Sequence, residues 1–288
     1  MTPEIAAQLA AIGRVIDPVK TGAIYAPLHD KEPWPGISVA RDLAYGPHER
    51  HRLDILTAKD AAGSRPVLLF VHGGGFTGGN KSVPGQPFYD NVPLFAARNG
   101  LVGVNMTYRL APEAPWPAGA EDVGAALRWT IDNVAQFGGD PSRIFLFGHS
   151  AGATHVGTYA AMPQFHDGRG LGIAGLILTS GIYDLGDFPL PDNFRSYIGS
   201  DPKLYTERSP IGGLRNLPIP SLLVYAELEP QPFITQFDKL VEAMAQAPGG
   251  KPRTLMLKQH SHLSLGYSIG TDDTLLTDAI LEFVRSVK

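Results

Sequence analysis

The chain is predicted to form an α/β fold, a mainly parallel sheet flanked by helices. Two features carry that expectation: short apolar runs recur along the chain, and the stretches between them repeat apolar side chains at helical spacing. Runs 67–71, 101–108, 143–147, 176–180, 221–226 and 254–257 have the length and content of buried strands. Between them, 121–136 places Val123, Ala126, Leu127, Thr130 and Val134 on one helical face, and 233–247 does the same with Phe237, Leu240, Val241 and Met244. Segment 272–287 adds another amphipathic helix. Ahead of this block, 37–45 and 51–56 read as two strands joined by the Gly46-Pro47 turn, an antiparallel edge. The alternation predicts one domain, 1–288. Two segments interrupt it: 1–35, a helix followed by a Pro-rich stretch, and 186–217, rich in Pro, Gly and Asp with scattered aromatics. Insertions of this size usually form lids or binding loops, so both are expected to make a small cap over the mouth of a site.

Composition removes several classes of function. With 43% hydrophobic and 18% charged residues the chain can bury a sizeable core, and its 33 glycines and 25 prolines are scattered without a period, which excludes collagen-like and low-complexity readings. Against 28 acidic residues stand 24 Lys and Arg, a net charge of -4 with no basic block, so nucleic acid is not an expected partner. The absence of cysteine excludes a disulfide scaffold, a thiolate nucleophile and Cys-ligated metal. No apolar run approaches the roughly 18 to 20 residues that span a bilayer, so no membrane span is expected. Segment 1–17 carries Glu4 and no continuous apolar stretch, so it does not read as a signal peptide, and a cytoplasmic location is expected.

The chemistry gathers in a few motifs. Gly148-His149-Ser150-Ala151-Gly152 follows an apolar run and precedes a helix-compatible stretch at 153–161, a G-x-S-x-G between strand and helix. A serine there sits on a sharp turn that lifts its Oγ clear of the sheet, and the flanking glycines let neighbouring backbone pass without a Cβ clash. Ser150 is therefore the candidate nucleophile. His72-Gly73-Gly74-Gly75-Phe76 follows the 67–71 strand and frees backbone N–H groups to face a cavity. Gly74, Gly75 and Ala151 N–H are the candidate oxyanion hole, each donor being worth on the order of 3 kcal/mol in a transition state. A phosphate-binding loop is the competing reading, but neither G-x-G-x-x-G spacing nor a Gly-Lys-Ser/Thr ending is present.

Such a serine needs a base and an orienting acid, in chain order serine, acid, histidine. Three histidines follow at a distance. His166 reads as a solvated loop residue, whereas His260 and His262 follow the last strand, where the base belongs. His262 is the choice, with His260 beside it as a supporting or surface residue; if the strand continued, both would point to one side. The acid should come from the loop after 221–226, where Glu229, next to Pro230, is favoured, with Glu227 and the earlier Asp184 as alternatives. His149 is expected to pack beside the serine and His72 to brace the glycine loop. Arg109, Glu113, Glu121 and Asp122 are expected to form structural polar contacts. A metal site at His260 and His262 is disfavoured because no carboxylate cluster completes it.

These motifs, together with Tyr108-Arg109-Leu110-Ala111-Pro112-Glu113 and Gly138-Gly139-Asp140-Pro141, resemble the hormone-sensitive-lipase-like branch of the α/β-hydrolase esterases in order and spacing, from about residue 40 onward. His260-Ser261-His262-Leu263-Ser264 also resembles carboxylesterases related to bacterial kynurenine formamidases, in which the second histidine of the pair is the base. The family commonly has Asp-Pro where this chain has Glu229-Pro230, so the acid reaches with one extra methylene. The resemblance implies a serine hydrolase of carboxylic esters, with no cofactor or metal; short-chain or aryl esters are expected because they fit a capped pocket better than long triglycerides and the sequence shows no broad apolar patch for a lipid interface. An arylformamidase on the same triad and a non-catalytic small-molecule receptor are the rival readings. Such folds often pair through edge strands or outer helices, so a homodimer is also expected.

Overall fold

The computed structural model describes residues 1–60 and 62–287. Eight strands form one sheet: β1 (Ile37–Ala44), β2 (Arg52–Ala58), β3 (Arg65–Val71), β4 (Val102–Met106), β5 (Gly139–His149), β6 (Gly175–Thr179), β7 (Ser221–Ala226) and β8 (Arg253–Leu257). Their order across the sheet is β1-β2-β4-β3-β5-β6-β7-β8. The β1/β2 and β2/β4 pairs are antiparallel, and every pair from β4 to β8 is parallel. The antiparallel edge and the parallel block are thus where the alternating pattern placed them. The strand expected at 101–108 is shorter, because the chain leaves the sheet after Met106.

Strand periodicity divides the core in two. Successive side chains point to opposite faces. Val67, Leu69, Val71, Ile144 and Leu146 face one cluster, closed by helices Ala118–Asn133, Ala151–Ala161 and Gln231–Ala243; Leu68, Phe70, Phe145 and Phe147 face the other. That second face is covered by Asn91–Arg98 and Leu275–Ser286 and by Leu9 and Tyr25 of the N-terminal helices Pro3–Ile12 and Pro18–Tyr25. Each fully buried Leu or Phe contributes about 1.5–3 kcal/mol, which is why strands wet on neither face read as unbroken apolar runs. The sequence reading missed Asn91–Arg98: seven of its eight residues are buried, Asn91 and Pro93 among them, so it shows no polar face.

Segment 186–217 folds into short helical pieces, including Asp192–Ile198, Tyr205–Arg208 and Ile211–Leu214. Its Phe188, Phe194, Tyr197 and Ile198 join Phe76, Ala151 and Phe233 in a separate aromatic cluster. Among the described residues, no helix is long and apolar enough to cross a membrane.

Candidate active site

The predicted site residues come from loops at the carboxyl ends of the parallel strands, where open α/β sheets gather their ligands. Ser150 stands between β5 and helix Ala151–Ala161 with φ 56° and ψ -123°, a conformation costly for any residue with a side chain. Its neighbours explain how the turn fits. A Cβ on Gly152 would lie 2.1 Å from the Val71 carbonyl oxygen, and one on Gly148 would lie 2.6 Å from Ala153 Cα. Only glycine passes there. The Ser150 N–H donates to the Thr179 carbonyl at 2.9 Å, tying the turn to β6.

The glycine loop runs alongside. A Cβ on Gly73 would sit 3.0 Å from Ser150 Cβ, which measures how closely the two pass. Gly74 and Gly75 follow with φ of 142° and 60°, and a Cβ on Gly74 would meet the Gly78 carbonyl oxygen at 2.1 Å. The buried His72 ring donates from Nδ1 to the Gly73 carbonyl at 2.6 Å and stacks on Tyr108, whose hydroxyl donates to the His72 carbonyl at 2.9 Å. Burial pushes the His72 imidazole down to about 3, so it is neutral and has a proton to place on Nδ1. The expected bracing role matches this contact.

His262 reaches the serine from the loop after β8: its Nε2 lies 2.8 Å from Ser150 Oγ. On the other side of the ring, Nδ1 is 3.7 Å from Glu229 Oε1, ion-pair range but longer than a hydrogen bond. Glu229 is fully buried, and its Oε1 also accepts the Ser180 hydroxyl and, at 3.3 Å, the Ala226 N–H. The alternative acids are occupied elsewhere. Glu227 accepts the Gln259 N–H at 2.7 Å, and Asp184 pairs with Lys239 at 2.9 Å.

His149 donates from Nε2 to the His262 carbonyl at 2.9 Å, so the residue beside the serine holds the backbone of the other histidine. Burial first, then the nearby His262, pushes the His149 imidazole down to about 3 and keeps it a neutral donor. β8 ends at Leu257, so strand alternation does not reach His260 and His262. His260 is not at the surface; it is buried and bonded to Ser264 and Asp273, away from the serine. His166 is half-buried, with its ring nitrogen 2.8 Å from the Tyr159 carbonyl. Arg109 contacts Glu121 and Asp122 as expected, whereas Glu113 is exposed.

Three residues at the site were not foreseen. Ser180 holds Glu229, Asn193 donates to the Gly75 carbonyl at 3.1 Å, and Arg14 donates to the Glu229 carbonyl at 3.0 Å. Ser180 alone left a signal: it follows β6 directly, at the strand end where parallel sheets collect functional groups. Asn193 and Arg14 lie in segments without a pattern.

A family model described as alpha/beta hydrolase fold matches residues 68–215, which span the glycine loop, the serine turn and most of 186–217. The chain belongs to the α/β-hydrolase family. This α/β-hydrolase chain is 31% identical over 209 residues to esterase LipQ of Mycobacterium tuberculosis, covering 66% of this chain and 48% of that protein. It is 48% identical over 92 residues to carboxylesterase NlhH of the same organism, 30% of this chain and 26% of that one. Phenmedipham hydrolase of Pseudarthrobacter oxydans is 41% identical over 120 residues, 38% of this chain and 23% of the other. The chain thus spans under half the length of these curated relatives. In fold it is similar to a bacterial heroin esterase, with a TM-score of 0.74 at 24% identity over 100% of this chain and 98% of that one. A phosphonate-inhibited esterase B from Lactobacillus rhamnosis gives 0.75 at 18% identity over 100% and 96%.

Proposed function

We propose that this α/β-hydrolase cleaves carboxylic esters through Ser150, His262 and Glu229. The observation that carries the reading is the 2.8 Å approach of His262 Nε2 to a serine held on a strained strand-to-helix turn beside a glycine loop. Ser150 Oγ attacks the ester carbonyl carbon while its proton passes to His262 Nε2. The carbonyl π pair moves onto oxygen, where the N–H groups of Gly74, Gly75 and Ala151 hold the oxyanion. Collapse expels the alcohol, which leaves with the proton from His262. Water then attacks the acyl-enzyme, giving its proton to His262, and the acid departs as Ser150 recovers its hydrogen. Glu229 fixes the imidazole with its proton on Nδ1 and stabilises the imidazolium, the 3.7 Å gap closing as charge develops.

The aromatic cluster of Phe188, Phe194, Tyr197 and Phe233 beside Ala151 favours short-chain or aryl esters, and the Phe233 ring lies tilted against the His262 ring with centroids 4.5 Å apart. In this reading 1–35 and 186–217 are the cap elements of a single domain, the protein is cytoplasmic, and the triad needs no cofactor. Esterase names among the relatives support the choice of bond.

The test compares wild-type protein and Ser150→Ala on acetyl, butyryl and decanoyl aryl esters and an N-formyl aryl amine. Fast turnover of the short esters, reduced about 10⁶-fold in kcat by the substitution, is the expected result. Preference for the formamide would move the protein to the arylformamidases. No turnover of any of the four, with tight binding of one, would make it a receptor.

A further inference from the structure

The turn that carries His262 contains a second buried array for which the proposed chemistry has no use. His260 Nε2 lies 3.0 Å from Asp273 Oδ2, and its Nδ1 lies 3.0 Å from Ser264 Oγ. His260 is 1% exposed, Ser264 0% and Asp273 8%, so all three have been taken from water. Ser264 Oγ accepts the Ser261 N–H at 2.9 Å and donates to the Ser261 carbonyl at 3.0 Å, clamping both backbone groups of the residue between the two histidines. The His260 carbonyl accepts the Leu228 N–H at 2.8 Å, one residue before Glu229. One histidine therefore reaches both the base and the acid: the turn of His262 through its side chain, and the loop of Glu229 through its backbone.

The Asp273 end of the array carries the charge. Burial pushes the Asp273 carboxyl up, but the hydrogen bond and charge of His260, together with the Met1 amine 3.2 Å away, bring it down to about 2. A carboxylate at that position requires an N–H on His260 Nε2. On the other side of the ring, Nδ1 meets Ser264 Oγ, which carries the chain of contacts on to the Ser261 backbone. The other titratable group facing Asp273 is the buried Tyr25 hydroxyl, pushed up by burial and then by the Asp273 charge.

We propose that Asp273, His260 and Ser264 are positioning residues that fix the His262 imidazole between Ser150 and Glu229. The proposal rests on the ester-hydrolase reading for its kinetics, though not for its geometry. Misplacing a reacting group by about 1 Å costs on the order of 10²-fold in rate, which sets the scale of the effect.

The experiment measures kcat and KM of the full chain on p-nitrophenyl butyrate for wild type, Asp273→Asn, His260→Gln and Ser264→Ala. Each variant is expected to lower kcat about 10- to 100-fold with KM within about twofold, and Asp273→Asn/His260→Gln to be no slower than the slower single variant. Nitrogen-15 spectra of histidine-labelled protein supply a readout that needs no turnover. Wild-type His262 is expected to hold its proton on Nδ1, and Asp273→Asn to mix the two tautomers. Should His260→Gln not fold, Asp273→Asn and Ser264→Ala, which change one atom each, carry the test. Unchanged kcat in those two variants, or an unchanged His262 tautomer, overturns the proposal. A wild type inactive on every ester would overturn the ester-hydrolase reading instead, and the tautomer comparison alone would then decide the array.

Discussion

The serine turn and the acid–base loops meet at two hydrogen bonds, His262 Nε2 to Ser150 Oγ and His149 Nε2 to the His262 carbonyl, but are built by different means. Ser150 is placed by backbone sterics: glycines at 148 and 152 pass within contact of Ala153 and Val71, and the positive φ of the serine is held by the strand before it and the helix after it. Glu229 and His262 lie on loops beyond β7 and β8 and are placed by hydrogen bonds from Ser180, Ala226 and His149. The first construction tolerates almost no change of shape. The second can lose one contact and keep the others, so its variants should grade.

The sharpest test of that contrast is His262→Ala, which removes the proposed base and should lower kcat about 10⁶-fold on an aryl ester, as is expected for loss of Ser150. Glu229→Gln keeps shape and loses charge; kcat should fall by about 10³-fold, less than for serine or histidine, and an unaffected rate would direct attention to Glu227 or Asp184. Gly152→Ala adds one methyl against the Val71 carbonyl and should cost about 1–3 kcal/mol in urea unfolding and about 100-fold in kcat. Full activity there would break the steric account of the turn. Ser180→Ala removes one of two donors to Glu229 Oε1 and should slow turnover only about tenfold. A test of stability rather than rate is pH. Burial lowers His72 and His149 from 6.5 to about 3 in the folded state, so the unfolded chain binds more protons between those values. Stability should be level above about pH 6.5 and decline as pH falls toward 3. Urea midpoints that stay flat from pH 7 to 4 would show that neither ring is buried neutral.

The same contrast governs what could be read from the sequence. A turn made by sterics needs particular residues at fixed spacing, so Ser150 stood out within Gly148-His149-Ser150-Ala151-Gly152, and Gly74 and Gly75 within their run. Strands buried on both faces were nearly as plain, although Asn105 interrupts the run of β4; the 254–257 run, read as a buried strand, is instead a largely exposed edge strand. Loops tied by side-chain hydrogen bonds leave no periodic trace. Glu229 was separable from Glu227 only by its distance along the loop, and Ser180, Asn193 and Arg14 act from positions where many residue types would satisfy local backbone. His260 read as a supporting or surface residue beside the base, and its burial follows from Asp273 and Ser264, which the sequence alone does not bring together.

Helix Asp192–Ile198 grips the glycine loop at consecutive turns. Asn193 bonds Gly75, and Phe194 and Tyr197 close on the Phe76 ring, the latter stacked at 4.7 Å. Tyr197 is anchored in turn, its carbonyl accepting the Trp116 N–H at 2.8 Å and its hydroxyl the Gly119 N–H at 3.2 Å. Helix and loop are therefore one mechanical part. A chimaera that exchanged 186–217 for the corresponding segment of a relative would disturb the seating of Gly75, so the portable unit for grafting is the helix together with residues 72–79.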